Sequence, residues 1–252
     1  MRIADVAALV TGAASGLGGA TARALAAKGA TVFGLDLPQA IEKAEPVEGV
    51  TYVAADVTNP EQVAAAVERA SGADKPLRIT VNCAGIGTAG RVLSKKGPHD
   101  LDLYRKIIEV NLIGTFNVLR LAAGAITKTE PLADDARGVI INTASIAAFD
   151  GQVGQVAYSS SKGGVVGLTL PAARDLAQFG IRVMTIAPGI VDTPMLAGVT
   201  DEFRATLSAG VPFPKRLATP DEYGQLVVQI AEHDYLNGEV IRMDGALRMA
   251  PR

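Results

Sequence analysis

One cysteine, Cys83, is all that the 252 residues contain. No intrachain disulfide can form, which suits a reducing, cytoplasmic setting. In its expected strand, Cys83 reads as a small hydrophobe rather than a reactive thiol. Only two histidines occur, His99 and His233. They are far apart and have no Cys or His neighbour at metal-ligand spacing, so no metal site is expected. Twenty-four basic residues stand against 26 acidic ones, a formal net charge of −2. That balance argues against nucleic acid or an anionic membrane surface as partner. No uninterrupted apolar run approaches the roughly 20 residues needed to cross a bilayer. The first strand is expected to begin near Val6, and on that reading no signal or transit segment is expected. Repeats, low-complexity tracts and linkers are also missing. The expectation is one soluble domain over residues 1–252, with 48% hydrophobic residues and enough length to bury a sizeable core.

What the chain does have is alternation. Short β-branched or apolar runs predict strands at Ala7–Val10, Thr31–Leu35, Thr51–Ala54, Ile79–Asn82, Val139–Thr143, Arg182–Ile186 and Val240–Met243. Helical spacing between them predicts Gly18–Lys28, Pro60–Ala70, Leu103–Lys128, Gly154–Gln178 and Pro220–Glu232. Near-continuously apolar strands alternating with helices imply an α/β fold: a parallel sheet, doubly wound and covered on both faces. Two stretches depart from the pattern. Gly87–Asp100 is polar and carries Arg91, Lys95 and Lys96, and Pro188–Pro214 mixes four prolines with Met195, Leu196, Phe203, Leu207 and Phe213. Long insertions in such a domain are more often functional than idle.

The first strand runs into Thr11-Gly12-Ala13-Ala14-Ser15-Gly16-Leu17-Gly18 and then a helix. Glycines at a strand-to-helix turn let the backbone approach a pyrophosphate, whose charge the helix N-terminus favours. Glycines also serve turns for steric reasons alone, so the context matters. Asp36 ends the second strand 20 residues beyond Gly16, where a carboxylate can accept from an adenosine ribose. A 2′-phosphate would meet like charge there, and neither Ser15 nor Leu37 offers a cation. The cofactor expected is therefore NAD rather than NADP. Asp56 and Val57 would meet the adenine, although an N-cap for the helix at Pro60 explains that segment equally well. Asn82, Ala84 and Gly85 close the fourth strand in a small turn that would let the dinucleotide pass, or simply turn.

Tyr158 and Lys162 stand four residues apart on an expected helix, with Ser145 ending the strand before it. Residues at i and i+4 share a helical face. A unit charge about 4 Å from a phenol, at an effective dielectric near 20, is worth roughly 4 kcal/mol, enough to lower a tyrosine pKa from about 10 to about 7. Such a phenol exchanges protons with an alcohol or ketone near neutral pH. Tyr and Lys at this spacing alone fit an ordinary surface helix; the upstream glycine turn and Asp36 favour the chemical reading.

Together these motifs, in this order over essentially the whole chain, resemble the short-chain dehydrogenase/reductase family in its T-G-x-x-x-G-x-G subgroup. The resemblance implies a Rossmann-type sheet of seven strands. It gives Ser145, Tyr158 and Lys162 the roles of orienting residue, catalytic acid/base and pKa-lowering cation. It assigns Asn111 to a proton relay through a water near Lys162; from its own segment, Asn111 could merely satisfy a helix backbone. It sets Pro188, Gly189, Ile190, Val191 and Thr193 below the nicotinamide, with Thr193 bonding the carboxamide. Cys83 departs from the pattern, since many members carry a second Asn there.

Asn82-Cys83-Ala84-Gly85-Ile86, Lys95-Lys96-Gly97, Ile141-Asn142-Thr143-Ala144-Ser145, Gly151-Gln152-Val153-Gly154-Gln155 and the ending Asn237–Arg242 resemble a narrower branch. Its members oxidise short or branched 3-hydroxyacyl-CoA thioesters with NAD and form homotetramers. The resemblance implies an acyl-CoA substrate for this chain. Met195, Leu196, Phe203, Leu207 and Phe213 would form an apolar lid within 188–214, or else cover a sheet edge. Arg91, Lys95 and Lys96 would receive coenzyme A phosphates, or form a solvated loop. An NAD-dependent hydroxysteroid or general secondary-alcohol dehydrogenase stays open. So does a non-catalytic NAD-binding scaffold in an RNA-processing complex, though the intact Ser145, Tyr158 and Lys162 and the charge of −2 speak against it.

Overall fold

The computed structural model describes residues 1–196, 198 and 200–251. Its strands are β1 (Ala7–Thr11), β2 (Thr31–Asp36), β3 (Val50–Ala54), β4 (Leu77–Asn82), β5 (Leu93–Ser94), β6 (Gly97–Pro98), β7 (Gly138–Thr143), β8 (Ile181–Pro188) and β9 (Val240–Met243). The helices are α1 (Gly16–Ala27), α2 (Pro38–Ile41), α3 (Pro60–Ser71), α4 (Leu101–Ile108), α5 (Thr115–Ile126), α6 (Val156–Ala177), α7 (Asp201–Gly210) and α8 (Pro220–Glu232). Seven strands form one parallel sheet in the order β3-β2-β1-β4-β7-β8-β9, and β5 and β6 make a separate antiparallel pair. This is the Rossmann-type, doubly wound arrangement expected of the sequence. Strand order reverses between β1 and β4, and that reversal opens a crevice at the strands' C-terminal ends.

Successive side chains of a strand face opposite layers, and the two cores follow that rule. Val10, Val32, Val81, Ile141 and Ile186 pack with Leu25 of α1 and Tyr223 and Val227 of α8. Leu9, Phe33, Leu35, Ile140 and Val183 pack on the other face with Val63 of α3, Val118 of α5 and Ala173 of α6. β1, β4 and β7 are buried at every position, which is why they read as unbroken apolar runs.

All seven sheet strands and five long helices lie where the sequence places them, with ends shifted by a residue or two. The departures are local. The helix expected over Leu103–Lys128 starts at Leu101 and is widened between α4 and α5 by a π-helical stretch, Glu109–Gly114. At 26 residues, Leu101–Ile126 is long and apolar enough to cross a membrane by length and composition. It is no uninterrupted apolar run, since Asp102, Arg105, Lys106, Glu109 and Arg120 break it. Half of its most apolar window is buried within the fold, as for a core helix. Gly87–Asp100 holds the β5–β6 hairpin. Residues 188–214 hold a short 3₁₀ turn, Pro194–Leu196, and α7, which has no buried residue and so left no apolar stripe in the sequence.

α8 starts from a capping box: Thr219 accepts from the Glu222 amide, and Glu222 reaches back to the Thr219 amide at 2.8 Å. Arg216 adds a two-pronged contact to the Glu222 carboxylate at 2.7 and 2.9 Å. Hydrogen bonding to Arg216, then to the Thr219 backbone, pulls the Glu222 pKa to about 2. A depressed carboxyl stabilises the fold above its unfolded pKa, near 4.5, and that contribution is lost as pH falls toward 2. Arg216→Gln is therefore expected to lower stability at pH 7 and to converge with wild type near pH 2, measured by urea unfolding across that range. An equal deficit at both pH values would refute the linkage.

Candidate active site

The glycine turn sits in the crevice. Gly12 and Gly16 have positive φ, +65° and +54°. A Cβ on Gly12 would stand 2.9 Å from the Ala84 amide, so the turns after β1 and β4 touch. One on Gly18 would meet the Gly12 carbonyl at 2.1 Å, so α1 can start against the turn only without a side chain there. Ser15 is the N-cap of α1 but makes no capping bond through its side chain, and the first turn, which includes Leu17, has no acid. That leaves the positive end of the helix uncompensated. The Asp36 carboxylate accepts from the Ala14 amide at 2.9 Å and the Leu37 amide at 2.8 Å, so the turn and the end of β2 are locked together.

Asp56 does not cap α3. Asn59 does, accepting from the Gln62 amide, while Asp56 accepts from the amide and hydroxyl of Thr58. Burial pushes the Asp56 pKa up, but the Thr58 bonds and the Lys106 charge outweigh it and hold it low. Val57 is buried over Gly114, where a Cβ would stand 2.7 Å from Val57 Cγ2. The Asn82 amide is buried and donates to Asn142 across β4 and β7 at 2.9 Å.

Tyr158 and Lys162 project from α6, whose buried stripe is Ala157, Ser161, Val165, Thr169 and Ala173. Small residues at every fourth position bring the helix close to the sheet. Lys162 is 4% exposed and donates to the Thr143 carbonyl at the end of β7, at 2.7 Å. Its nitrogen lies 5.8 Å from the centre of the Tyr158 ring. Burial lowers the Lys162 pKa to about 8. For Tyr158, burial raises the pKa above 10 by more than the Ser145 hydroxyl lowers it. The depression expected from the Lys162 spacing is thus absent: the ammonium leans on a carbonyl, and desolvation governs the phenol.

Asn111 lies in the π-helical stretch, fully buried. Its side chain accepts from the Ile86 amide at 2.8 Å and donates to the Ile86 carbonyl at 2.9 Å and to Ser161 at 3.0 Å. It therefore clamps the chain leaving β4 instead of serving its own helix. A Cβ on Gly85 would stand 3.2 Å from Asn111 Oδ1 and 3.6 Å from Lys162 Nζ, so Asn111, Gly85 and Lys162 share one spot. Buried Pro188 ends β8 and is followed by Gly189, packed on Asp244, and by Ile190 and Val191, which bridge to Ala218. Thr193 approaches Gly16, where a Cβ would lie 3.7 Å away. The lid residues are spread out: Phe203 is 54% and Phe213 82% exposed, and the side chain of Met195 lies outside the described residues. A cavity of about 440 Å³ opens between Gly90–Leu93 and Gly151–Gly154, with Val156 and Ser159 of α6 at its base.

The short chain dehydrogenase family matches residues 6–203. The chain belongs to the short-chain dehydrogenase/reductase family. The 3-hydroxyacyl-CoA dehydrogenase type-2 of Bos taurus is 53% identical over 249 residues, 97% of this chain and 95% of that protein. Its Drosophila melanogaster namesake is 51% identical over 254 residues, 99% and 100% of the two. The crystal structure of 3-hydroxyacyl-CoA dehydrogenase type-2 from Mycobacterium avium is 42% identical, with a TM-score of 0.92 over 98% of both chains. As a short-chain dehydrogenase/reductase, the protein is an oxidoreductase.

Sequence reading missed several residues of this family member's site. Thr11 accepts from the Cys83 and Ala84 amides, and Thr143 and Tyr223 lie beneath Lys162. A second omission is Arg242 on β9. It bonds Asp150 at 2.5 Å, Asp244 at 2.7 Å and the Leu247 carbonyl at 3.0 Å, and lies over the Phe149 ring. Its fork ties the C-terminal tail to the loop leaving Ser145. Arg242→Ala leaves Asp150 without its ion-pair partner and Asp244 with Arg248 and the Ala246 amide, and is expected to cost about 2 kcal/mol. Arg242→Lys, without the planar fork, should recover only part of it. Urea unfolding and proteolysis of the tail would read this; wild-type stability in the alanine variant would refute it.

Proposed function

We propose that the protein catalyses reversible, NAD-dependent oxidation of the 3-hydroxyl of short or branched 3-hydroxyacyl-CoA thioesters to the 3-ketoacyl-CoA. The observation that carries this is the near full-length similarity, at 51 to 53% identity, to two proteins named 3-hydroxyacyl-CoA dehydrogenase type-2, in a chain whose Ser145, Tyr158 and Lys162 meet beside the crevice. The crevice fits the dinucleotide. The uncapped start of α1 suits a pyrophosphate, and the tethered Asp36 carboxylate suits a ribose diol and repels a 2′-phosphate. Gly12, Ser15, Gly16, Leu17 and Gly18 would hold the phosphates. Asp56, Val57, Asn82, Ala84 and Gly85 would flank the adenosine half, and Pro188 to Val191 with Thr193 the nicotinamide half. Bound there, NAD supplies the hydride acceptor.

The chain's own residues move and hold the proton. Tyr158 takes the hydroxyl proton in oxidation and returns it in reduction, while Ser145 holds the substrate oxygen. A desolvated phenol is a weak acid, so it needs the Lys162 cation turned toward it to reach the phenolate. With a pKa of about 8, Lys162 is mostly protonated at pH 7. Asn111 Oδ1, which faces Gly85 beside Lys162, keeps a second lone pair to hold a relay water. The remaining contribution is positioning.

The 440 Å³ cavity, lined by Arg91, Val92, Leu93, Val153 and Ser159, supports an acyl or pantetheine path, with Arg91 on its wall and Lys95 and Lys96 in the β5–β6 turn that follows for the nucleotide phosphates. Exposed Leu101, Ile113 and Phe116 on the α4–α5 helix and Leu170 on α6 support self-association through these helices, as a homotetramer. A cytoplasmic location is part of the same proposal.

Tyr158→Phe is expected to abolish turnover and leave NADH binding, read by fluorescence, nearly intact; wild-type rates would sink the assignment. Acetoacetyl-CoA should exceed an N-acetylcysteamine thioester of the same acyl group in kcat/KM. Equal values would discard the nucleotide role of the Arg91–Lys96 loop, and turnover of steroids or simple alcohols alone would favour the general dehydrogenase reading.

A further inference from the structure

We infer that Tyr223, remote from the crevice on α8, is a positioning residue for Lys162, acting through the two ends of Thr143. The inference rests on the reading of Lys162 as the cation of the site. Tyr223 is the largest fully buried side chain, 0% exposed, and its hydroxyl lies 2.7 Å from Thr143 Oγ1. Counting protons orients the chain. Thr143 Oγ1 lies 2.6 Å from the Asn82 carbonyl, which can only accept, so the threonine's single proton goes there. Tyr223 must then be the donor to Thr143. The sequence of bonds is Tyr223 to Thr143 hydroxyl to Asn82 carbonyl, and it pins the side chain of Thr143 to β4 and α8 together.

The main-chain carbonyl of that same residue accepts from Lys162 at 2.7 Å. Thr143 is thus the point where the α8 layer, on one face of the sheet, meets the α6 layer on the other. Nothing about packing demands the phenolic oxygen; a phenylalanine would fill the same core. What the oxygen supplies is a fixed Thr143, hence a fixed acceptor for a buried ammonium that has left water. The titratable groups facing Lys162 are Tyr158 on its own helix and Cys83 beyond β4, whose thiol burial pushes up. Asn111, on the π-helical stretch, is polar and uncharged. Tyr223 stays neutral, since burial raises its pKa well above 10. With Tyr223 uncharged, its loss reaches Lys162 through Thr143 or through the Cys83 thiol, 3.8 Å from its hydroxyl, and the Thr143 variants of the test separate the two. Loosening that carbonyl favours the neutral amine.

The test is Tyr223→Phe in protein labelled with ¹³C at lysine Cε, the Lys162 signal assigned by its absence in Lys162→Met. The Lys162 midpoint is expected to fall by about half a pH unit, the effect of weakening one neutral hydrogen bond. The alkaline limb of kcat/KM for acetoacetyl-CoA reduction should move the same way. Thr143→Val should reproduce the shift, the double variant should add little to it, and Thr143→Ser, which keeps the hydroxyl, should restore the wild-type midpoint. A lowered melting temperature with an unmoved Lys162 midpoint overturns the inference and makes Tyr223 a packing residue. If Tyr223→Phe does not fold, the Thr143→Val midpoint decides by the same criterion. Undiminished turnover in Lys162→Met would instead overturn the functional reading, because the titration needs no catalysis.

Discussion

A lysine ammonium held at 4% exposure against one backbone carbonyl is the constraint on which the site depends. Removing such a charge from water is costly unless hydrogen bonds and geometry offset it. The fold accepts that cost at one place, beside the reversal of strand order, and the surrounding architecture follows from holding the group there. α6 must lie close enough for a side chain to cross to the end of β7, and its stripe of Ala157, Ser161, Val165, Thr169 and Ala173 permits the approach. A hydroxyl pair, Thr169 and Thr185 at 2.6 Å, fastens the same helix to β8 about two turns further on. Leucines in that stripe would lift the helix off the sheet and strand the amine.

The same economy of side chain governs the opposite wall. Gly12 and Ala84 meet with no room for a Cβ, and Gly85 faces Lys162 and Asn111. Asn111 reaches Ile86 because the helix widens to a π turn at Glu109–Gly114, which re-aims a side chain without breaking the helix. The crevice is therefore bounded by backbone on one side and by a buried polar cluster on the other. That division suits an anionic, dipole-guided ligand half beside a reacting half.

Much of this was legible in the sequence, for physical reasons. Strands buried on both faces must be apolar throughout, so β1, β4 and β7 announced themselves, and a strand-to-helix turn of glycines can be read because glycine is required there. Asp36 and the Ser145, Tyr158 and Lys162 set were legible by spacing. The sign of the Tyr158 shift was not: spacing says that two groups share a face, not which way an ammonium turns or how dry a phenol is. α7 was illegible because no residue of it is buried. Arg242, Thr143 and Tyr223 were illegible because each works through partners dozens of residues away, Asp150 lying 92 residues from Arg242 and Tyr223 lying 80 from Thr143.

Cys83 follows from the same cluster. Many members of the family carry asparagine at this position, whose amide brings two donors and a carbonyl to be satisfied. Here its immediate neighbours are the Thr143 and Tyr223 oxygens, at 3.7 and 3.8 Å from the sulfur. The protons of both hydroxyls are already committed, one to the Asn82 carbonyl and one to Thr143. A thiol makes weak demands in both directions and tolerates that surrounding. An amide in its place would leave its carbonyl without a donor from either hydroxyl, a desolvation cost of about 1–3 kcal/mol. The phenol on α8 and the thiol after β4 are thus matched in this chain: the hydroxyl protons go to oxygen acceptors and the sulfur asks for none of them.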